Sequence, residues 1–383
     1  MHLAIIGNYP LDKTHIQGGV QAAFAYLVNG LSQIEGLQVH VLTMVSGYST
    51  EQERIERNGI ILHILPTYPR FEFARNYGTY QSRLNAKLAQ IQPDVVHAQE
   101  STTHAYVALR SGYPTVVTVH GIQREDLKYL GGSLLHRLRN RLHNWLIEGY
   151  TLKHARHLIA ISRYVVTYFS KQLRPDVQVY HIPNAIDQYF FNLPNSGNGH
   201  TILFAGRIIA RKRVLDLIRA FAKITRQDPL AQLRLAGEYK SEPVYAEAIQ
   251  NFIYEANLTS RVHLLGPLTE EAIWREFANC DVLVLPSAQE TTPMVIAQAM
   301  AAGKPVLATP VGGVAEMVRA NETGLLVQVG DIDGLAEALR CLLQDTALRT
   351  CMGQMARQFA LENYHADAVA KRTYEVYQTI AMA

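Results

Sequence analysis

Short apolar runs alternate with longer segments of helical period along almost the whole chain. Each apolar run has the length of a buried strand, and each longer segment repeats apolar residues at the spacing of one helix face. This alternation is typical of parallel sheets whose strands are joined by crossover helices. It predicts the α/β class, and because it restarts after residue 199 it predicts two doubly wound, Rossmann-like domains.

The first half of the chain carries one such series. Strands are predicted at residues 3–6, 39–43, 60–64, 95–97, 115–119, 158–161 and 179–182, and helices at 19–33, 76–91, 102–111, 135–154 and 163–173. A polar segment rich in Gly and Pro follows at 192–199 and lacks periodicity. We therefore predict an N-terminal domain over 1–191 and a linker over 192–199.

The second half repeats the pattern. Strands are predicted at 201–205, 232–236, 262–265, 282–285, 306–308 and 324–327, with helices that begin near Lys212, Pro243, Glu270, Pro293 and Asp333. A second domain is thus predicted over 200–364, and a last helical segment, about 345–378, is long enough to pack against either domain. Open sheets bind ligands beyond the carboxyl ends of their strands, so the predicted site is a cleft between the domains.

Composition narrows the class of protein. Hydrophobic residues make up 48% of the chain and charged residues 18%, which predicts packed cores. Lys and Arg number 36 against 33 Asp and Glu, and this balance argues against nucleic acid as a partner. Three cysteines without a CxxC pair, no basic leader and no apolar run of 18 residues predict a cytoplasmic protein without a transmembrane helix.

The usual nucleotide fingerprints, GxGxxG after the first strand and GxxxxGK[ST], are absent. Several strand-to-helix junctions instead place small residues at a helix N-terminus, where free backbone N–H groups can hold a phosphate. The first junction is Gly18-Gly19, which lets the backbone approach an anion. The alternative for this pair is a flexible loop before a helix.

The second junction joins a buried strand to Gly206-Arg207 and then to Lys212. Glycine permits close approach of a ligand, while the guanidinium and ammonium groups at the strand's carboxyl end suit a diphosphate. A solvated basic loop is the alternative, because Arg211 and Arg213 beside them are equally consistent with surface charge.

The third junction, residues 282–303, carries matched helix signals, with Thr292 as the predicted N-cap, Pro293 at the first helical position and Gly303 past the end. The free amides of Met294 and Val295 can then bind phosphate, and Glu290 in the preceding loop can bind sugar hydroxyls. The alternative for Glu290 is a solvated carboxylate.

The fourth junction ends an apolar strand in His120-Gly121. A neutral imidazole there could accept a hydrogen bond from a sugar hydroxyl, although a lone histidine after a strand is more often structural. Asp331-Ile332-Asp333 matches a DxD metal motif, but it opens a predicted helix, where an acidic residue caps the N-terminus. We predict capping and no metal.

In this order the junctions resemble the retaining, GT-B-fold glycosyltransferases of family 4. The resemblance covers about 300 residues, and its matching segments are 18–19, 94–98, 116–121, 155–162, 182–187, 204–212, 261–267, 285–305 and 312–316. It implies two Rossmann-like domains that face a central cleft, the first for the acceptor and the second for a nucleotide-diphosphate sugar. It also implies that residues 365–383 cross back to the first domain.

The same resemblance assigns roles. Arg207 and Lys212, beside Gly206, match the pair that neutralises the donor diphosphate, and Gly19 matches the loop glycine that closes over it. Glu290 matches the family glutamate that contacts the donor sugar, and His120 matches the histidine near the transferred sugar.

Two departures from the family pattern bear on donor binding. Gln298 replaces the glutamate that usually binds the ribose, and an amide lacks a carboxylate's charge-assisted strength. Thr291-Thr292-Pro293 replaces the more usual Gly-aromatic-Gly. They leave open a noncatalytic sugar-nucleotide-binding partner beside the preferred hexosyltransferase. The GT-B resemblance leaves open a second alternative, a sugar-nucleotide epimerase.

The mechanism expected from the resemblance needs no cofactor and no metal, since Arg207, Lys212 and helix N-termini supply positive potential to the departing diphosphate. The expected acceptor is a glycan or a lipid-linked molecule, as in cell-surface polysaccharide or glycolipid synthesis. Residues 124–157 add a basic amphipathic pattern, in which Lys128, Arg137, Arg139 and Arg141 interleave with leucines and Trp145. This favours either an anionic membrane surface as a partner, on the inner membrane face, or a core-packed helix with a solvated basic face.

Overall fold

The computed structural model describes residues 1–12, 16, 18–56, 58–67, 72, 76–126 and 134–382, and only the backbone of residues 126 and 134–137. The chain forms two compact units. The first comprises Met1–Leu11, Val20–Ala185 and Ala366–Ala383, and the second comprises Asp12–Gly19 and Ile186–His365.

The first unit contains the strands β1 to β8 and most of the helices of the first half. The strands are β1 (His2–Ile6), β2 (Gln38–Ser46), β3 (Gln52–Ile55), β4 (Ile61–Thr67), β5 (Val95–Gln99), β6 (Thr115–Val119), β7 (His157–Ala160) and β8 (Gln178–His181). The helices are α1 (Gly18–Leu31), α2 (Gly78–Ile91), α3 (Thr103–Leu109), α4 (Gln123–Asp126), α5 (Leu134–His154), α6 (Arg163–Phe169) and, from the end of the chain, α15 (Ala366–Ala381).

These strands form one sheet in the order β3-β4-β2-β1-β5-β6-β7-β8. All neighbours pair in parallel except β3, which runs antiparallel to β4 at the edge. The pattern did not predict β3, because Gln52–Ile55 is polar and mostly exposed and so lacks an apolar run. The order of strands reverses direction between β1 and β5, which makes their carboxyl ends the switch point where open α/β sheets bind ligands.

The last helix packs within the first unit. An added Cβ at Gly30 of α1 would lie 2.6 Å from the carbonyl oxygen of Ala366 and 2.9 Å from Cβ of Ala370. Tyr377 of α15 is fully buried and contacts His97 of β5. A small residue on α1 therefore permits α15 to approach closely, and α15 contributes a polar group to the interior of this unit.

The second unit contains the remaining elements. Its strands are β9 (Thr201–Ala205), β10 (Gln232–Ala236), β11 (Val262–Gly266), β12 (Val282–Leu285), β13 (Val306–Ala308) and β14 (Gly324–Leu326). Its helices are α7 (Gln188–Phe191), α8 (Val214–Ile224), α9 (Pro243–Glu255), α10 (Glu270–Asn279), α11 (Met294–Ala301), α12 (Val314–Met317), α13 (Ile332–Gln344) and α14 (Thr346–Asn363).

The second sheet is all parallel, with the order β11-β10-β9-β12-β13-β14. Numbered within the unit this is 3-2-1-4-5-6, the order of a Rossmann sheet. Its switch point lies between β9 and β12. The predicted α/β class, with two doubly wound parallel-sheet domains, is confirmed.

Two features differ from the sequence-based expectation. The unit changes after Ala185, and residues 192–199 pack on the second unit, where Lys304 Nζ donates to Asn195 Oδ1 and Ser196 N donates to the carbonyl of Ala278. The last helical segment is also not continuous, because it breaks at Tyr364–His365. There Ile186 N donates to the carbonyl of Tyr364 at 2.7 Å, a contact between distant parts of the chain that no local pattern reveals.

Across the described part of the chain, no helix combines the length and the apolar character needed to cross a bilayer.

Candidate active site

The predicted donor residues gather at the switch point of the second sheet. β9 ends at Ala205 and continues into Gly206 and Arg207, while β12 ends at Leu285 and continues into the loop that holds Glu290. The two strands are hydrogen-bonded neighbours. Residues that are far apart in sequence therefore meet at one edge of the sheet.

Two glycines shape the backbone at this edge. Gly206 has a φ of +145°, and Gly237, at the end of the neighbouring strand β10, has a φ of +146°. A Cβ added at Gly237 would lie only 1.9 Å from the carbonyl oxygen of Gly206. Gly237 is thus what allows the Gly206-Arg207 peptide to take its place, and the sequence analysis missed it.

Lys212 and Glu290 form a buried ion pair. Lys212 Nζ donates to Glu290 Oε1 at 2.7 Å, and Ser287 Oγ donates to the same oxygen at 2.8 Å. Lys212 is 9% exposed and Glu290 is 7% exposed. The solvated carboxylate considered for Glu290 is therefore wrong, and the ammonium group of Lys212 is held by a carboxylate.

The charge of Glu290 is fixed by its surroundings. Burial raises the pKa of this carboxyl, but the nearby Lys212 and Arg211 outweigh the burial, and its pKa lies below the usual range. Glu290 is accordingly ionised at neutral pH. The cluster of two cations and one carboxylate keeps a net positive charge in a partly desolvated place, where it acts strongly on an incoming anion.

Arg211 is not the surface charge that the basic-loop alternative assumed. Its Nη1 donates to the backbone carbonyl of Gln289 at 2.6 Å and to Gln289 Oε1 at 2.9 Å, and lies 3.8 Å from Glu290 Oε2. Arg211 thereby ties the β12 loop to the loop after β9. Arg207, by contrast, is exposed and forms no salt bridge within the described ranges, so its guanidinium is available to a ligand.

The helix after β12 begins one residue later than predicted. α11 starts at Met294, Pro293 occupies the N-cap, and no side chain caps the helix. Thr292 is therefore not the N-cap, because its Oγ1 is buried and meets no hydrogen-bond partner among the described residues. An orphaned hydroxyl beside uncapped amides can be satisfied by an oxygen-rich ligand. At the other end Gly303 has a φ of +69° just past the helix, as predicted.

The remaining predicted donor residues lie near this helix. Gly18 has a φ of +82°, and the segment Asp12–Gly19 belongs to the second unit. A Cβ added at Gly19 would lie 3.0 Å from Met294 Cγ, so a larger residue here would require the Met294 side chain to shift. Val295 and Gln298 follow on α11, and both are half-buried.

His120 lies in the first unit, directly after β6. Its Nδ1 lies 2.9 Å from Asn184 Oδ1 and its Nε2 lies 2.5 Å from the carboxamide of Gln99, which ends β5. Burial lowers its pKa to about 4, although the hydrogen bond with Asn184 Oδ1, which accepts, partly opposes this. The imidazole is therefore neutral at neutral pH, and both ring nitrogens already have a partner. Sequence reasoning missed Gln99 and Asn184, because an amide carries no local signature of such a role.

The predicted cap at Asp331 is confirmed. Its Oδ1 accepts a hydrogen bond from the backbone N–H of Gly334 at 2.8 Å, while Asp333 pairs with Lys223. Within the described ranges, no group of three or more His, Cys, Asp or Glu side chains is arranged to hold a metal ion.

The predicted basic amphipathic region, residues 124–157, includes helix α5, which exposes apolar side chains as well as basic ones. Lys128 lies outside the described residues, as does the side chain of Arg137. On the described part of α5 one face buries the side chains of Ile147 and Thr151. The opposite face exposes four large apolar side chains, which are Leu138 (52%), Leu142 (55%), Trp145 (57%) and Leu146 (42%).

Two family models match the chain in succession. The model of Glycosyltransferase Family 4 matches residues 17–189, and the model of glycosyl transferases group 1 matches residues 185–359. Together they span nearly the whole chain. The protein belongs to this group of glycosyltransferases, and the predicted hexosyltransferase class of enzyme is confirmed at the level of the family.

Individual proteins agree with the match. The chain is 25% identical over 324 residues to N-acetyl-alpha-D-glucosaminyl L-malate synthase of Bacillus anthracis, which covers 79% of this chain and 80% of that protein. Its fold is similar to sucrose-phosphate synthase of Thermosynechococcus elongatus, with a TM-score of 0.80, 24% identity and full coverage of both chains. It is also similar to HepE of Anabaena in complex with UDP-glucose, with a TM-score of 0.74, 19% identity and coverage of 99% and 100%. These structures support the GT-B architecture.

Proposed function

We propose that this protein is a retaining hexosyltransferase that moves a hexosyl unit from a nucleotide-diphosphate sugar to a glycan or lipid-linked acceptor without a metal ion. The observation that carries the proposal is the cationic cluster at the switch point of the second sheet, which holds Lys212 and Arg211 against Glu290 and leaves Arg207 exposed. The bound UDP-glucose of the structurally similar HepE supports a nucleotide sugar as donor.

In the proposed reaction the donor's bond from the anomeric carbon to the phosphate oxygen breaks, and the electron pair leaves with the nucleotide diphosphate. Preorganised positive charge on that leaving group is the largest catalytic need. Arg207, Lys212 and the uncapped amides at Met294 supply it without reorganisation. The acceptor hydroxyl forms the new bond on the same face of the sugar, and its proton passes to the departing phosphate oxygen.

The two residues of the buried pair, Lys212 and Glu290, are proposed to have different roles in donor binding. Glu290 holds Lys212 in one position, and Lys212 and Ser287 both bond to its Oε1. Its Oε2, 3.8 Å from Arg211 Nη1, is proposed to accept from hydroxyls of the donor sugar. Lys212 retains further N–H donors for the diphosphate. The half-buried Gln298 is proposed to bind the ribose as a neutral amide.

Donor hydrolysis tests the proposal. The purified protein is incubated with UDP-, GDP- and ADP-sugars, with and without EDTA, and products are identified by mass spectrometry. Slow release of free sugar and nucleoside diphosphate from one donor is expected, unaffected by EDTA and lost in Glu290→Ala and Lys212→Ala. Lys223→Ala is the matched control, because Lys223 is an exposed lysine in the same unit that pairs with Asp333.

The outcomes separate the proposal from its rivals. An epimerised sugar without any need for an acceptor would contradict a transferase. Loss of turnover with EDTA that added metal restores would contradict the metal-independent mechanism. Covalent labelling of a carboxylate by the donor in the absence of acceptor would contradict same-face attack.

We further propose that the protein works at an anionic membrane surface, through the exposed face of α5. Leu138, Leu142, Trp145 and Leu146 follow the spacing of one helix face, opposite the buried face. Arg139 and Arg141, both exposed, lie on either side of this apolar stripe. An apolar stripe flanked by cations is typical of helices that lie in the bilayer interface.

Charge complementarity favours an anionic lipid surface as the occupant. The single acidic residue of α5, Glu148, is 1% exposed and pairs with Arg124 at 2.9 Å. The exposed charges of the described helix are therefore all basic. Such a surface fits a lipid-linked acceptor, which would be presented at the same membrane.

Vesicle flotation tests this surface. Binding is expected to phosphatidylcholine vesicles that contain phosphatidylglycerol, and Trp145→Ala is expected to weaken it by about tenfold, since a buried large apolar side chain contributes about 1.5 to 3 kcal/mol. Tyr254→Ala is the matched control, because Tyr254 is 79% exposed on α9 in the other unit. No binding to these vesicles, or equal effects of both variants, would contradict the proposed membrane surface. If the protein self-associates without vesicles and Trp145→Ala abolishes this, the exposed face of α5 binds a second copy of the protein, and the membrane proposal is wrong.

A further inference from the structure

A chain of buried polar side chains connects the last helix to His120 within the first unit. Its contacts are Tyr377 Oη to His97 Nδ1 at 2.6 Å, His97 Nε2 to Thr118 Oγ1 at 2.6 Å and to the Gln99 carboxamide at 3.1 Å, and Gln99 to His120 Nε2 at 2.5 Å. Thr118 is 4% exposed, Gln99 1%, and His97 and Tyr377 not at all. His97, Gln99, Thr118 and His120 line a cavity of about 20 Å³, which has room for a single water molecule.

Burial keeps the three rings of this hydrogen-bonded network, those of His97, His120 and Tyr377, in their neutral forms. Burial lowers the pKa of His97 to about 3, with a smaller contribution from His120, and lowers the pKa of His120 to about 4. Burial also raises the pKa of Tyr377 well above its usual value. All three rings are thus neutral at pH 7, so each imidazole has one nitrogen that donates and one that accepts.

Tyr377 decides which nitrogen of His97 accepts. Among the described residues, the hydroxyl of Tyr377 has one hydrogen-bond partner, which is His97 Nδ1. A buried hydroxyl hydrogen without an acceptor is costly, so Tyr377 donates to Nδ1. The proton of His97 is then on Nε2, where it faces Thr118 Oγ1 and Gln99. Thr118 does not need His97 as an acceptor, because it lines the cavity, where a water molecule can accept its hydroxyl hydrogen, whereas Tyr377 does not line the cavity.

The orientation of the Gln99 carboxamide links the tautomer of His97 to that of His120. The two ends of a carboxamide have the same shape, so the groups around them determine the orientation. With the amide nitrogen toward His97, the Nε2 of His97 must accept and its Nδ1 carries the proton, so Tyr377 loses its acceptor. The reverse orientation keeps the acceptor of Tyr377. The amide oxygen then accepts from His97 Nε2–H, the amide nitrogen donates to His120 Nε2, and His120 Nδ1–H donates to Asn184 Oδ1.

We propose that Tyr377, His97 and Gln99 are positioning residues that hold His120 in its Nδ1–H tautomer, which makes His120 a hydrogen-bond donor to the substrate. A sugar oxygen would take the place of Asn184 as the acceptor of this N–H. The tautomer is inferred from these hydrogen bonds and the neutral rings, and only its use on a sugar rests on the proposed function. It reverses the sequence-based expectation that the imidazole accepts from a hydroxyl.

Nitrogen-15 NMR of the protein labelled in its histidines tests the tautomer directly. The signals of His120 are identified by their loss in His120→Asn. At pH 7.5 a pyrrole-type Nδ1 and a pyridine-type Nε2 are expected. An Nε2–H tautomer, or an imidazolium, in the unmodified protein would overturn the proposal.

Two variants test the relay. Tyr377→Phe removes the group that selects the tautomer, so a mixture of both forms is expected at His97 and at His120, whereas Tyr374→Phe, on the same helix, leaves the spectrum unchanged. Gln99→Glu replaces the donor toward His120 Nε2 by an acceptor, so His120 is expected to carry a proton on Nε2. An unaltered His120 tautomer in both variants would overturn the relay even if one variant is unstable.

Turnover separates this inference from the proposed function. In the donor hydrolysis assay Tyr377→Phe is expected to lower kcat by about tenfold with little change in KM, because the lost orientation matters in the transition state. If NMR shows the expected tautomer but His120→Asn retains full turnover, the relay stands and the role of His120 in the reaction fails.

Discussion

The two units bury polar groups of opposite kinds. In the first unit the buried polar groups near the sheet edge are neutral histidines, since burial lowers the pKa of His97 to about 3 and that of His120 to about 4. In the second unit the corresponding edge holds the ionised pair of Lys212 and Glu290. The same type of sheet therefore carries an uncharged hydrogen-bond network in one unit and a charged cluster in the other.

The difference matches the chemistry proposed for each side. A neutral network of imidazoles and amides discriminates hydroxyl groups by donor and acceptor pattern. A cationic cluster in a place of low dielectric stabilises a diphosphate as it gains charge. Because the costs of burial differ, the two edges should also respond differently to substitution and to pH.

The largest effect is expected from Lys212→Met, which leaves Glu290 buried without its closest cation. Removing one partner of a buried pair costs about 3 to 5 kcal/mol, and losing a charge on the leaving group costs about 100- to 1,000-fold in kcat. Denaturant unfolding and donor hydrolysis measure the two effects. Adding Glu290→Gln should restore much of the stability and none of the turnover. Full turnover in Lys212→Met would remove the charged edge from the mechanism.

The second largest effect is expected from acidification, which should destabilise the first unit more than the second. A histidine whose folded pKa lies below its unfolded value of about 6.5 stabilises fully above that pH, and the contribution declines as pH falls toward the folded pKa. At pH 5 the loss is about 2 kcal/mol for each of His97 and His120. Glu290 loses its contribution in the same direction but at lower pH, since its lowered pKa keeps the contribution until the pH falls below 4.5.

The chain offers one tryptophan in each unit for this measurement, Trp145 in the first and Trp274 in the second. Urea unfolding at pH 7 and pH 5 is followed by tryptophan fluorescence in two variants. Trp274→Phe retains only Trp145 and so reports the first unit, and Trp145→Phe retains only Trp274 and so reports the second. The first unit should lose more stability on acidification. Equal losses in both units would contradict the contrast between neutral and charged edges.

Much of this architecture was predictable because strands and caps leave local signatures. The strands Thr201–Ala205 and Val282–Leu285 are unbroken apolar runs, and the residues that follow them carry the basic and acidic groups of the site. Their position at a switch point follows from the alternation of strands and helices. The edge strand β3 and the break at Tyr364 lack such signatures, since the first is polar and the second depends on Ile186.

The partners within the site were not predictable for the same reason. Lys212 and Glu290 are 78 residues apart, and nothing in either segment indicates that they pair. The need for glycine at position 237 is visible only in the structure, where an added Cβ would lie 1.9 Å from the carbonyl oxygen of Gly206. Roles that depend on contacts between elements require the coordinates of both elements.

Gly237→Ala is expected to have the next effect. The added Cβ would meet the carbonyl of Gly206, so the backbone must shift, and a loss of about 2 kcal/mol or more in stability together with weaker donor binding is expected. Gly47→Ala is the control, because Gly47 also has a positive φ but nothing within 4 Å of its Cβ position. It should lose only about 1 kcal/mol. Equal effects would show that strain at φ, and not the approach to Gly206, decides the result.

The smallest effect, and the most selective, is expected from Thr292→Val. This substitution removes a buried hydroxyl that has no partner among the described residues, so the free energy of unfolding should not fall and should rise by up to about 1 kcal/mol. Thr309→Val is the matched control, because Thr309 Oγ1 donates to the carbonyl of Ser287 at 2.5 Å and its loss should cost about 1 kcal/mol. If a donor oxygen satisfies Thr292, its variant should raise the KM for the donor by about fivefold, the value of one hydrogen bond. A stable Thr292→Val with an unchanged KM would mean that the ligand does not reach this end of α11, and the charged edge would then bind its diphosphate through side chains alone.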